Sequence, residues 1–316
     1  MIQTLFKRIA LLLATLLLVT VMAFVAFSII PGDPTDAILG LEATPEQIAA
    51  LRAELGLDLP LLQRYCDWLI QFLKGDFGTS YNYDMPVADL LASRIAPTMT
   101  LTAMSALLII ALSLPLGLLA ARFEGSWLDR LLTVLNQMTM SVPNFVVGIA
   151  LVFLFGLVLR WFRPGGYVSP EMGLGPYLWF LLFPSLAVAL PKSAMMVKML
   201  RGAVLSELDA DYVRTAWAKG SKRTRVLWVH VLKNALIPVV TFFATTVAEL
   251  VAGSIVVEQV FAIPGLGQML ISSIGNRDYP VVQVIIVLVA VVVVLCNFLA
   301  DALNRMLDPR LKGDSL

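Results

Sequence analysis

Charge is what this chain is short of. Charged residues make up 14% of its 316 residues and apolar residues 59%, whereas a soluble domain averages about 25% charged. Histidine is scarcer still: His230 stands alone, which excludes a histidine-rich zinc site and a triad needing a second imidazole. The two cysteines, Cys66 in a polar stretch and Cys296 in an apolar run, give neither a disulfide framework nor metal-ligand spacing. No GxxxxGK[ST] phosphate loop occurs; GSKRT at 220–224 lacks the glycine-rich lead. HExxH and GxSxG signatures are missing from the apolar runs as well. The net charge of +1 offers no field for nucleic acid. The chain therefore reads as a non-enzyme without bound cofactor or metal, and any use of ATP must come from another subunit.

What is present is hydrocarbon. The mean hydropathy is +0.85. Uncharged or nearly uncharged runs cover 9–32, 95–121, 131–159, 172–191, 234–257 and 279–300. Each provides the twenty or so residues needed to cross about 30 Å of hydrocarbon at 1.5 Å per residue. Six spans follow, in an all-α polytopic membrane protein. The first is expected to be retained, because its apolar stretch exceeds that of a signal peptide and ends in bulky IIPGDP. Pro115 and Gly117 are expected to bend the second. Pro143 and Asn144 interrupt the third, which is long enough to include an interfacial turn. The fourth extends to Met196 if Lys192 snorkels.

Basic residues fix the orientation. With the N-terminus inside, fifteen Lys and Arg fall on cytoplasmic segments and seven outside, as the positive-inside rule requires. Both termini are then cytoplasmic in an inner, plasma membrane. The chain divides into 1–32 (N-terminus and first span), an extracytoplasmic insertion over 33–94, and a core over 95–316 with five spans and a cytoplasmic loop at 198–233. Within the insertion, TPEQIAALRAELGL predicts a short helix with Thr44 as N-cap and Gly56 as stop. LPLLQRYCDWLIQFLKGDFG predicts an amphipathic one with Trp68 and Phe72 resting on the membrane face. A docking lid and a packing scaffold are both open readings of this segment.

Ion-coupled carriers need ionisable groups at membrane depth, and these runs are almost bare. Glu249 is the exception, fifteen residues into the fifth run. It stands on a pathway wall, in an interhelical contact, or as a structural glutamate. A channel or secondary carrier using Glu249 is therefore a rival reading.

The polar island ELDADYVRTAWAKGSKRTRVLWVHVLKNALIP at 207–238 interrupts this pattern. Asp209 or Asp211 is expected to cap a helix running to Gly220, whose left-handed turn ends it. A second helix over about 222–232 follows, with Val226, Val229 and Lys233 on one side. Tryptophans and valines recur among the charges, which favours docking to a protein over a bare loop. A lipid-surface role and a scaffold that moves nothing remain open.

The island resembles the cytoplasmic loop of ABC importer membrane subunits, and DYVRTAWAKGSKRTRVLWVHVLKNALIPVV at 211–240 resembles the dipeptide/oligopeptide/nickel permease family, first of its two permease types. The general Glu-Ala-Ala triplet, followed after three residues by glycine, aligns here with Arg214, Thr215 and Ala216; Ala216 and Gly220 match. IPGDP at 30–34, SVPNFVVG at 141–148 and VVEQVFAIPGLGQMLISSIGNRDYPVVQ at 256–283 also resemble family segments, in order along the chain. The resemblance implies the ABC type I importer fold, a second permease subunit, two ATPase subunits carrying ATP and Mg, a binding protein outside, and alternating access. It implies that Asp211, Tyr212, Arg214, Thr215, Ala216, Lys219, Gly220 and Ser221 couple to an ATPase. Glu258, Pro264, Gly265 and Gly267 are expected to shape a turn at the pathway or gate, with Glu249 also on the pathway. Arg277 and Asp278 are expected to pair locally. Dipeptides, oligopeptides, nickel chelates, glutathione and oligosaccharides are all open as the solute.

Overall fold

In the computed structural model the described residues are 2–29, 35, 39, 43–54, 56–222 and 225–307. IPGDP at 30–34, Arg223, Thr224, Arg310 and Lys312 lie outside them. The chain runs through α1 (Ile2–Ile29), α2 (Pro45–Glu54), α3 (Leu61–Leu73), α4 (Val87–Arg122), α5 (Trp127–Ser141), α6 (Asn144–Leu151), α7 (Leu174–Leu208), α8 (Asp211–Ala218), α9 (Leu232–Phe261), α10 (Leu266–Gly275) and α11 (Tyr279–Leu307). Wider π-helical turns at Val152–Val158 and Val226–Val231 extend α6 and lead into α9.

Five stretches among the described residues are long and apolar enough to cross a membrane: Ile9–Phe27, Val87–Arg122, Leu174–Leu208, Val226–Phe261 and Tyr279–Ala302. The expected third span is a pair of helices, Trp127–Ser141 and Asn144–Val158, bent by 101°, and makes a sixth if counted as one. Pro143 is the cause. The residue before a proline is pushed out of the α region, and Val142 is extended at φ −96° and ψ 124°. Pro115 does not break α4, nor do Pro184 and Pro191 interrupt α7.

The chain separates into two compact units, 1–98 with 264–294, and 99–263 with 295–316. In the first, Val87 and Leu91 pack with Leu266 and Met269 of α10 and with Val281, Val284 and Ile285 of α11. Thr44 and Gln47 form a reciprocal capping box at α2, Thr44 N donating to Gln47 Oε1 at 3.0 Å and Gln47 N to Thr44 Oγ1 at 3.3 Å. Gly56 ends that segment at φ 65°. Trp68 and Phe72 do not form a membrane face. They continue an aromatic row, Phe24–Tyr65 at 5.5 Å, Phe24–Trp68 at 5.7 Å, Trp68–Phe72 at 5.5 Å and Phe72–Phe77 at 5.0 Å. Leu62 and Leu73 are exposed instead. Asp278 does not pair with Arg277. It is buried and accepts from Ser80 Oγ at 2.5 Å, Tyr81 N at 3.1 Å and Asn82 N at 3.4 Å. Burial, reinforced by the Asp278 charge, pushes the Tyr81 phenol up to about 12.

The second unit is built around α7, whose apolar residues surround the helix and leave it the most buried span. Phe162 stacks on Phe183 at 4.5 Å and on Phe261 at 5.9 Å. Gly117 lets α4 approach α7 closely: a Cβ there would stand 2.8 Å from Leu200 Cδ2.

Candidate functional site

The island folds as a bracket across the end of α7 and the start of α9. Helix α8 begins after Ala210, which is extended and makes no side-chain cap. The expected Asp209 or Asp211 cap is thus replaced: Asp209 closes α7, and Asp211 sits in the first turn of α8, where a carboxylate still complements the helix dipole. Its contact with Arg214, at 3.8 Å between exposed side chains, contributes little. The C-terminal turn is as the sequence requires. Lys219 N donates to Thr215 O at 3.1 Å and Gly220 N to Trp217 O at 2.8 Å, with Gly220 at φ 79° and Ser221 N returning to Ala216 O.

One face of α8 is buried. Val213 belongs to the same apolar cluster as Val226, Leu227 and Val231, with Ala216 packed against it. The π-helical winding at Val226–Val231 shifts the helical phase, so Val226 is buried while Val229 and Lys233 are exposed, and the three do not share a side. Arg214, Thr215, Trp217, Lys219 and Trp228 are exposed.

Tyr212 ties this bracket to both spans. Its hydroxyl donates to Glu207 Oε2 at 2.5 Å at the end of α7 and accepts from Asn234 Nδ2 at 3.2 Å at the start of α9. Burial of the ring, then the Glu207 bond, raises its pKa, so the phenol stays protonated in neutral solution. Asp129 of α5 receives Arg201 of α7 through Nε and Nη2, each at 2.8 Å, and also Gly125 N at 3.0 Å. Sequence reasoning missed this clasp; the cap at Ser126, which accepts from Asp129 N at 3.3 Å, was its legible half.

At membrane depth, Glu249 of α9 pairs with Lys192 of α7. Lys192 therefore does not snorkel. Asn144 of α6 donates to Gly253 O at 2.9 Å, one turn beyond Glu249. Glu258 lies nine positions along the same helix, on the opposite face, and is buried. Pro264 and Gly265 precede α10, where Gly265 is extended and Gly267 is buried within the first turn. Glu249 and Glu258 thus do not form one cluster.

The comparisons bear on this arrangement. Residues 113–313 match the family described as binding-protein-dependent transport system inner membrane component, and residues 1–102 match its N-terminal membrane component. The probable peptide ABC transporter permease protein y4tP of Sinorhizobium fredii is 35% identical over 306 residues, covering 97% of this chain and 98% of that one. The glutathione transport system permease protein GsiC of Salmonella typhimurium is 37% identical over 312 residues, covering 99% of each. A solved structure of the MetNI methionine ABC transporter in an inward-facing conformation matches with a TM-score of 0.55 at 21% identity, covering 69% of this chain and 96% of that one; at that identity the likeness concerns the fold.

Proposed function

The chain belongs to the binding-protein-dependent transport system inner membrane component family and is a multi-pass permease subunit of an ABC importer; on that premise we propose that it forms half of a pathway for peptide-like solutes and takes its driving force through residues 211–221. The carrying observation is the α8 bracket. Its inner face is packed into the ends of two spans, Tyr212 hydrogen-bonds both of them, and its outer face presents Arg214, Thr215, Trp217 and Lys219. A helix held this way moves with the spans and leaves its other side for a partner.

In this reading two ATP-binding subunits sit at the cytoplasmic face, one against α8, and a second permease subunit completes the pathway. A binding protein outside delivers the solute, and both termini are cytoplasmic. ATP-driven closure of the ATPases displaces α8, and α7 and α9 follow, exposing the pathway alternately to each side. The relatives named for peptide and glutathione transport support a peptide-like solute. Glu249 belongs to the pathway, and Glu258, Pro264, Gly265 and Gly267 shape an outer turn. The ion-coupled alternative loses force because Lys192 already neutralises Glu249.

Reconstituting the four-subunit complex with its binding protein in liposomes tests the proposal. Uptake should require ATP and disappear when the ATPase partner is made hydrolysis-dead. Persistent gradient-driven uptake by that dead complex, or by this chain alone, would overturn it.

A further inference from the structure

The Lys192–Glu249 pair stands in the middle of two apolar spans, and yet the Glu249 side chain is 61% exposed. A charge at membrane depth is expensive against lipid and is found facing water or protein. The face carrying it is therefore not the lipid face.

Helical register extends that face toward the cytoplasm. On α7, Lys192, Met195, Met199 and Gly202 recur at spacings of three and four; on α9, so do Pro238, Phe242, Thr245 and Glu249. Met140, Met195, Lys198, Met199, Pro238 and Phe242 are among the residues that wall an open cavity of about 620 Å³, within the 300–1,000 Å³ of small-molecule sites. Its first wall residue on α7, Met195, is one turn from Lys192. Methionine is flexible and polarisable and adapts to differently shaped apolar groups.

We propose that this face binds short peptides by their charged ends, the peptide carboxylate taking Lys192 and the peptide ammonium taking Glu249, while the methionines of the cavity accept apolar side chains of differing shape. The inference rests on the permease reading above and names the solute chemistry of its pathway. Lys192 has further N–H donors and Glu249 a second oxygen beyond those used in their own contact. The ends of an extended dipeptide or tripeptide lie about 7–10 Å apart. Binding thus requires the two side chains to part, each exchanging one counter-ion for another of the same sign. No net charge is left bare, which is what allows the exchange at membrane depth. A solute with one end blocked leaves one member of the pair unmatched, and that is the source of discrimination.

The test uses the whole complex, free of nucleotide, carrying Met195→Cys in a Cys66→Ser, Cys296→Ser background. The rate of modification by a charged thiol reagent reports occupancy. Tri-alanine with free ends should slow labelling about tenfold more than N-acetyl-tri-alanine or tri-alanine amide, each of which lacks one charged end and so one charge-assisted hydrogen bond. Glu249→Gln should abolish the preference for a free amino end and Lys192→Met that for a free carboxyl end. Because a single change leaves a charge unpaired, Lys192→Met with Glu249→Met serves as the neutral pair: it should assemble and fail to distinguish free from blocked peptides. Equal protection by free and blocked peptides in the unaltered pair, or protection by none of them, overturns the proposal. So does loss of the second permease subunit from the neutral variant, which makes this face a subunit interface. ATP-dependent uptake by the same complex separates the two levels: a complex that imports but ignores the peptide ends sinks this inference and leaves the permease reading standing.

Discussion

Gly220 sits at φ 79° and, among the described residues, no heavy atom stands within 4 Å of where a Cβ would be, so its contribution is backbone shape. The left-handed region costs an L-residue about 1–2 kcal/mol, while asparagine tolerates it better. Gly220→Val should therefore distort the end of α8 and lower uptake per ATP hydrolysed several-fold in the reconstituted complex, whereas Gly220→Asn should stay near the unmodified value; equal coupling ratios in all three would show that this turn carries no coupling. Tyr212 acts differently, through one hydroxyl shared between Glu207 and Asn234. Tyr212→Phe keeps the ring and removes the link, a loss of about 1 kcal/mol for an ordinary hydrogen bond. The complex should still assemble and hydrolyse ATP, but with less uptake per ATP. Because the folded-state pKa is raised, the contribution of the neutral phenol is complete below its ordinary value near 10 and fades as pH climbs through the raised one. The Tyr212→Phe deficit should accordingly be constant from about pH 6 to 9; a deficit that changes over that window would assign the effect to another group.

Helices meet through a few specific contacts, and these decide what could be read in advance. The Asp129–Arg201 fork joins α5 to α7 with an almost wholly buried carboxylate, 6% exposed, and an arginine that keeps 30%. Breaking a fully buried pair costs about 3–5 kcal/mol; with Arg201 partly hydrated, Asp129→Asn should cost about 2 kcal/mol. A drop of several degrees in the melting midpoint of the purified complex would register this, and an unchanged midpoint would demote the fork to ornament. Features set by neighbours in sequence were legible: the long apolar helices, the Thr44 cap, the stops at Gly56 and Gly220. The break at Pro143 was legible as a position, but its 101° angle was not. Contacts across many residues were hidden, since nothing local in Lys192 points to Glu249, 57 positions away, or in Asp129 to Arg201, 72 away. The π-helical turn before α9 defeated the expected grouping of Val226, Val229 and Lys233, because a strict 3.6-residue period assumes uniform winding.

At the scale of the whole chain, the segment over 33–94 is the part whose role sequence left most open, and the first unit supplies a physical handle on it. Asp278 lies between α10 and α11 and gathers the Ser80 hydroxyl and the Tyr81 and Asn82 amides, 196 to 198 positions earlier in the chain. A buried carboxylate satisfied by such donors organises the backbone that supplies them, and the amides have no substitute once it is gone. The stretch between α3 and α4 is otherwise held by short-range contacts: the Thr79–Pro86 bridge, Ser80 N to Met85 O at 2.9 Å, Val87 N to Gly78 O at 3.0 Å and Asp84 N to Ser80 O at 3.2 Å, and Tyr83 N to Ser80 Oγ at 3.1 Å. Asp278→Ala should therefore release residues 79–86 while leaving the spans folded, and Asp278→Asn should do so only partly, because an amide oxygen still accepts from one or two of the three donors. Limited proteolysis from the outer side of proteoliposomes reads this directly: cleavage between Thr79 and Pro86 should rise in the order unmodified, Asn, Ala. If the segment also receives the binding protein, uptake should fall in the same order while ATP hydrolysis without solute stays constant. Graded cleavage with unchanged uptake would make the clasp a scaffold alone, and an absence of any new cleavage would show that the aromatic row from Phe24 to Phe77 holds the insertion without it.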